Sequence, residues 1–105
     1  SEKARNAITE GDNMVFVSAA VAWEVAIKKA LGRLDAPDDL EDTMTEERFQ
    51  PLPITIPHAL AVAALPAIHQ DPFDRIQIAQ AQLENLTLVT RDGFIQQYAI
   101  SSMKA

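Results

Sequence analysis

Val15-Phe16-Val17 is a compact apolar run, and the next residue, Ser18, already reads as a helix N-cap. A strand that passes into a helix with almost no loop constrains this chain most, because its apolar residues ask for cover on both faces. The helix signal extends from Ala19 to Leu31. Val21, Val25 and Ala26 share one side, Trp23, Ile27 and Leu31 lie beside them, and Gly32 marks the stop. Leu86 to Thr90 is a second apolar strand, followed at once by Arg91-Asp92-Gly93 and a short helix. Trp23 and Phe73 read as core side chains.

The rest of the chain alternates in the same way. Ser1 to Glu10 reads as a helix with Ala4, Ala7 and Ile8 on one face, ended by Gly11. Pro37 to Arg48 reads as an amphipathic helix with Leu40 and Met44 four apart, and its acidic run, Asp38, Asp39, Glu41 and Asp42, reads as a solvated face. Prolines 51, 53 and 57 confine Pro51 to Ile56 to a short edge strand. Thr55 and Pro57 open a helix through Ala64, which Pro66 breaks. Asp71 then caps the most regular helix, with Pro72 at its first position, Ile76, Ala79 and Leu83 along one face, and Asn85 as its stop. Tyr98 to Ile100 reads as a last edge strand and Ser101 to Ala105 as a frayed tail. Strands alternating with helices predict an α/β fold with a mostly parallel sheet, covered by helices on both faces, in one domain over residues 1–105.

Composition narrows the chemistry. Nine Lys and Arg against fifteen Asp and Glu give a net charge of −6, which argues against a protein that coats nucleic acid through a basic patch. It leaves room for an enzyme that meets phosphate through a metal ion held by carboxylates. The chain has no cysteine, so disulfide scaffolds, Cys-based zinc sites and thiol nucleophiles drop out. No apolar run approaches the ~20 residues of a membrane span, and without a secretory signal a cytoplasmic location is the default expectation. Gly11, Gly32 and Gly93 are isolated, so no phosphate-cradling loop is present.

Sites in parallel sheets form beyond the carboxyl ends of the strands, and that rule selects among the acids. Glu24 lies on the helix after Val15–Val17, Asp92 stands two positions past Thr90, and Asp74 opens the helix before Leu86–Thr90. Converging carboxylates suit Mg²⁺ or Mn²⁺. Each acid also has a plainer reading. Glu24 pairs with Lys28 at i,i+4, although the helix around it is apolar nearly all round; Asp74 favours a helix dipole; Asp92 is a turn residue before Gly93. Asp71 is a cap rather than a ligand, and His58 and His69 lack metal-ligand spacing and read as helix-surface or loop packing.

Ser18-Ala19-Ala20-Val21-Ala22-Trp23-Glu24-Val25-Ala26-Ile27-Lys28, with Leu31-Gly32-Arg33-Leu34, resembles the second motif of PIN-domain ribonucleases of the VapC toxin type. His69-Gln70-Asp71-Pro72-Phe73-Asp74-Arg75-Ile76-Gln77-Ile78-Ala79-Gln80-Ala81 resembles their third motif, and Leu86-Thr87-Leu88-Val89-Thr90-Arg91-Asp92 their fourth. Leu52-Pro53-Ile54 and Pro57-His58-Ala59-Leu60 fit between, and order and spacing agree from about Ser1 to Ile100. The resemblance implies a PIN-like three-layer α/β/α fold and an endoribonuclease that uses Mg²⁺ or Mn²⁺ to cleave RNA. It implies Glu24, Asp74 and Asp92 as metal ligands and Thr90 as the hydroxyl that positions a carboxylate or water. Its implied partners are an RNA substrate, an antitoxin whose basic tail covers the cleft, and a second copy in a homodimer.

The resemblance also departs from its pattern. PIN domains begin with a central strand that carries an Asp, followed by a helix; this chain has neither, and Ser1–Ile8 resembles the segment just after that block. The expectation is therefore a fold whose first strand is missing between the strands at Val15–Val17 and Leu86–Thr90, with weak or no metal affinity and cleavage. A rival reading is a non-catalytic PIN-like module kept for dimerisation or antitoxin binding. A third is a plain α/β domain with scattered acids.

Overall fold

The computed structural model describes residues 1–33, 40–68, 70–90, 95–98 and 100–104. In chain order the elements are α1 (Glu2–Thr9), β1 (Phe16–Ser18), α2 (Ala19–Ala30), α3 (Leu40–Glu46), β2 (Gln50–Leu52), α4 (Ile56–Ala61), a 3-10 turn at Val62–Ala64, α5 (Pro72–Glu84), β3 (Leu88–Thr90), a 3-10 turn at Ile95–Gln97 and β4 (Ser102–Lys104). Both strand pairs, β1 with β2 and β3 with β4, are parallel. They form two separate two-stranded sheets, so the strands at Val15–Val17 and Leu86–Thr90 fall in different sheets. The chain packs as two compact units, Met14–Pro53 and Ser1–Asn13 with Ile54–Ala105.

In the Met14–Pro53 unit, β1 runs directly into α2, as the sequence requires. The Ser18 hydroxyl accepts the Ala20 N–H at 3.0 Å, which satisfies one of the four unpaired donors of a helix start. At the other end Gly32 takes φ +69 just past the helix, a conformation that costs glycine little. In β2, Gln50 N–H donates to Val15 O at 2.8 Å, so the alternation of a parallel ladder turns the nitrogen of Pro51 away from β1. A proline sits there without breaking a bond, and β2 is an edge strand, shorter than the Pro51–Ile56 span expected. Glu41 and Asp42 on α3 are exposed, as a solvated face requires, while Asp38 and Asp39 lie outside the described residues.

Trp23 corrects the sequence reading. It is 60% exposed, and Ile27 and Leu31 beside it are exposed as well. Among the described residues of this unit only Ser18 and Ala20 are fully buried. Two short strands offer too little surface to cover both flanks of a 12-residue helix. Phe73 is half-buried.

The other unit holds the larger core: Leu65, Ile78, Ala79, Ile95 and Tyr98, with Ala61, Val62, Ile68, Leu88 and Ile100 packed on it. α5 supplies its centre, with Ile78 and Ala79 wholly buried. Asn85 stops that helix in the left-handed conformation, φ 55 and ψ 48. The C-terminal reading is corrected. Ser102–Lys104 is a strand paired with β3, and the Ser1 hydroxyl donates to Lys104 O at 2.7 Å, so the expected frayed tail is ordered. Tyr98, expected in an edge strand, is a core residue whose hydroxyl donates to Pro66 O at 3.0 Å. An aromatic ring with a polar tip satisfies burial and hydrogen bonding together, which a period-two reading overlooks.

His58 is 1% exposed and carries two specific bonds. Its Nδ1 accepts the Thr55 N–H at 3.0 Å, which makes Nε2 the protonated nitrogen of the neutral ring, and Nε2–H donates to Glu84 Oε1 at 2.8 Å. Thr55 Oγ1 in turn accepts the His58 N–H, closing a capping box at the start of α4 and binding that helix to the end of α5. His58→Ala leaves the Thr55 N–H without its partner and opens a cavity. We expect it to lower unfolding free energy by about 2–3 kcal/mol, read as a fall in urea midpoint at constant m-value. A loss below ~0.5 kcal/mol would show that the box does not hold the two helices together.

Candidate functional site

Asp71 and Asp74 divide the work at the first turn of α5. Asp71 Oδ1 accepts the N–H groups of Phe73 at 2.8 Å and Asp74 at 3.2 Å, so Asp71 is the N-cap that the sequence suggested and its oxygen is engaged with backbone. Pro72 takes the position where a missing N–H costs nothing. Asp74, at the third helical position and half-buried, stands near the positive end of the helix dipole.

Arg75 locks this turn to the chain before it. Its guanidinium donates to the carbonyls of Pro66 at 3.0 Å and Val62 at 3.1 Å, and Tyr98 donates to the same Pro66 oxygen. A planar fork with five donors suits such a cluster of carbonyls. Sequence reasoning gave Arg75 no role. No local signal marks it, because its carbonyl acceptors lie nine and thirteen residues earlier in the chain.

β3 packs against α5, which carries Asp74 in its first turn. Thr90 is half-buried at the carboxyl end of β3. Asp92 follows it by two residues and lies outside the described residues, as does His69.

Glu24 belongs to the other unit. It sits in the middle of α2, its side chain 27% exposed, with Lys28 Nζ 3.4 Å from Oε2 and the lysine side chain 51% exposed. That is the i,i+4 pair the sequence allowed. Among the described residues no three His, Asp or Glu side chains gather as a metal site. Glu24 and Asp74 are both half-buried, and each carries the kind of hard carboxylate oxygen that Mg²⁺ and Mn²⁺ prefer.

Parallel strand pairs alternating with helices make this an α/β protein. The PIN domain family model matches residues 1–100, and the chain belongs to that family. Its α/β character is that of the PIN fold, which is generally a nuclease fold, typically binds divalent metals and suggests RNA as a ligand. No curated protein matches the chain. Among the described residues no helix is long and apolar enough to cross a membrane.

The roles of Asp71 and Glu24 separate in stability measurements. Asp71→Ala removes a cap and should cost about 1 kcal/mol, whereas Glu24→Gln, which breaks only a half-exposed pair, should change stability by less than ~0.5 kcal/mol. Urea melts of both variants check this. A larger loss for Glu24→Gln than for Asp71→Ala would mean that Glu24 is a structural residue.

Proposed function

We propose that the chain is a VapC-type endoribonuclease in which Glu24, Asp74 and Asp92 hold one Mg²⁺ or Mn²⁺ ion and Thr90 positions a carboxylate or water beside it. The observation that supports this reading is the pinned first turn of α5, where the Asp71 cap and the Arg75 clamp fix the point at which Asp74 leaves the helix that β3 packs against. When bound, the ion lowers the pKa of a water and offsets charge developing on the phosphodiester oxygens. The chain's own residues supply the rest. The backbone N–H of Asp74 is bonded to the Asp71 cap, which holds the helix turn that carries it, and the Thr90 hydroxyl can both accept and donate. A net charge of −6 suits a basic antitoxin tail as partner and leaves the approach of RNA phosphate to the ion. The proposal includes a homodimer and a cytoplasmic location, where RNA and antitoxin are found.

The second reading, a non-catalytic PIN-like module for dimerisation or antitoxin binding, draws on the pairing of Glu24 with Lys28, since that carboxylate already has a cation. Metal-dependent stability separates the two. On the nuclease reading Mn²⁺ stabilises the full chain by about 2.7 kcal/mol at a hundredfold excess over Kd, and Asp74→Asn removes that rise in Tm. A melting curve indifferent to Mn²⁺ and Mg²⁺ supports the module and overturns the nuclease.

A further inference from the structure

One side of α2 is apolar and open to solvent. Trp23, Ala26, Ile27, Ala30 and the C-cap Leu31 are all exposed, and they stand at i, i+3, i+4, i+7 and i+8. That is the spacing by which a helix packs one side against a neighbour. The stripe runs about 12 Å, and the paired charges of Glu24 and Lys28 border it along a single edge.

This stripe is complementary to itself. A second α2 laid antiparallel across a two-fold axis sets Trp23 of one copy opposite Ala30 of the other, and Ile27 opposite Ala26. Each large side chain then meets a small one, as interdigitating helices require. The same rotation brings the two charged edges together, so that Glu24 of each copy faces Lys28 of the other. A parallel pair would set Trp23 against Trp23 and leave both charged edges facing alanines. Half of the Lys28 side chain is in solvent, and its flexible stem can reach a carboxylate on either helix.

We propose that the Trp23–Leu31 face of α2 docks on the same face of a second copy of this chain, antiparallel about a two-fold axis. The inference rests on the homodimer included in the proposed function and adds the surface that forms it. Two such stripes bury less than the ~1,600 Å² of a standard interface, so the dimer is weak, with Kd on the order of 10–100 μM.

Sedimentation equilibrium of the full chain in EDTA, read beside tryptophan emission over the same concentrations, tests this. Trp23 is the chain's sole tryptophan and is 60% exposed, so its emission reports on this face. It should shift to the blue with the midpoint at which dimer forms. Ile27→Glu sets two like charges at the centre and should weaken association about tenfold or more, with an unchanged circular dichroism spectrum. Trp23→Ala, at a more exposed position, should weaken it about tenfold as well. Mixing Glu24→Lys with Lys28→Glu makes every edge pair opposite in sign. Mixed dimers should then form about threefold more tightly than those of either variant alone. Mixed dimers no tighter than those of the single variants would overturn the antiparallel arrangement. If the chain dimerises while Trp23 emission stays constant, another surface is used: the homodimer stands and this inference falls. A chain that stays monomeric up to about 1 mM removes both. None of these outcomes bears on the nuclease reading, which the melting curves with Mn²⁺ decide.

Discussion

The first turn of α5 rests on one side-chain oxygen and one guanidinium. Asp71 Oδ1 takes up two of the helix's unpaired N–H groups, and Arg75 ties the same turn to the carbonyls at Val62 and Pro66. Together they fix where α5 begins, and therefore the height at which Asp74 leaves the helix. They also fix the core, because α5 carries Ile78 and Ala79 into its centre, and Tyr98 reaches the same Pro66 oxygen from the other side. Hydrogen bonds to a charged group are roughly twice as strong as neutral ones, so this arrangement is both local and stiff. The string Asp-Pro-Phe-Asp-Arg thus contains a cap, a first-turn proline, a half-buried ring, a candidate ligand and a clamp.

Much of this could be read from sequence wherever a local rule decides. The caps at Ser18 and Asp71 and the helix start at Thr55 follow from side chains that reach backbone two or three residues away, and Gly32 and Asn85 stop their helices in the left-handed conformation that those residues tolerate. Such bonds need no tertiary context. The misreadings are tertiary. Trp23 reads as core because it lies among apolar neighbours, but its unit has too little surface to cover it. Ser102–Lys104 reads as a tail because no strand pattern marks it at the end of the chain, yet pairing with Leu88–Thr90 makes it a strand. Tyr98 reads as strand because β-propensity records packing rather than backbone preference.

The candidate site was legible at the level of residue type and position relative to strand ends. Asp71 was legible as a cap rather than a ligand because it stands just before Pro72 at a helix start, and its bonds to the Phe73 and Asp74 N–H groups bear that out. Arg75 and His58 carried no signal for their roles, since both act through carbonyls or carboxylates distant in the chain. Glu24 keeps two readings for a physical reason: a carboxylate paired with a mobile lysine is equally a surface salt bridge and a ligand awaiting a stronger cation.

Like charges gather at a protein surface only when something positive makes the gathering favourable, and a small divalent ion is the strongest such agent. The nuclease account therefore turns on whether Glu24, Asp74 and Asp92 share one ion. Crystals grown with Mn²⁺, measured at a wavelength where manganese scatters anomalously, give the most direct answer. The account predicts one strong peak per chain within about 2.0–2.4 Å of oxygens from all three side chains. A peak that omits any of the three, or a map without a peak there, would contradict it.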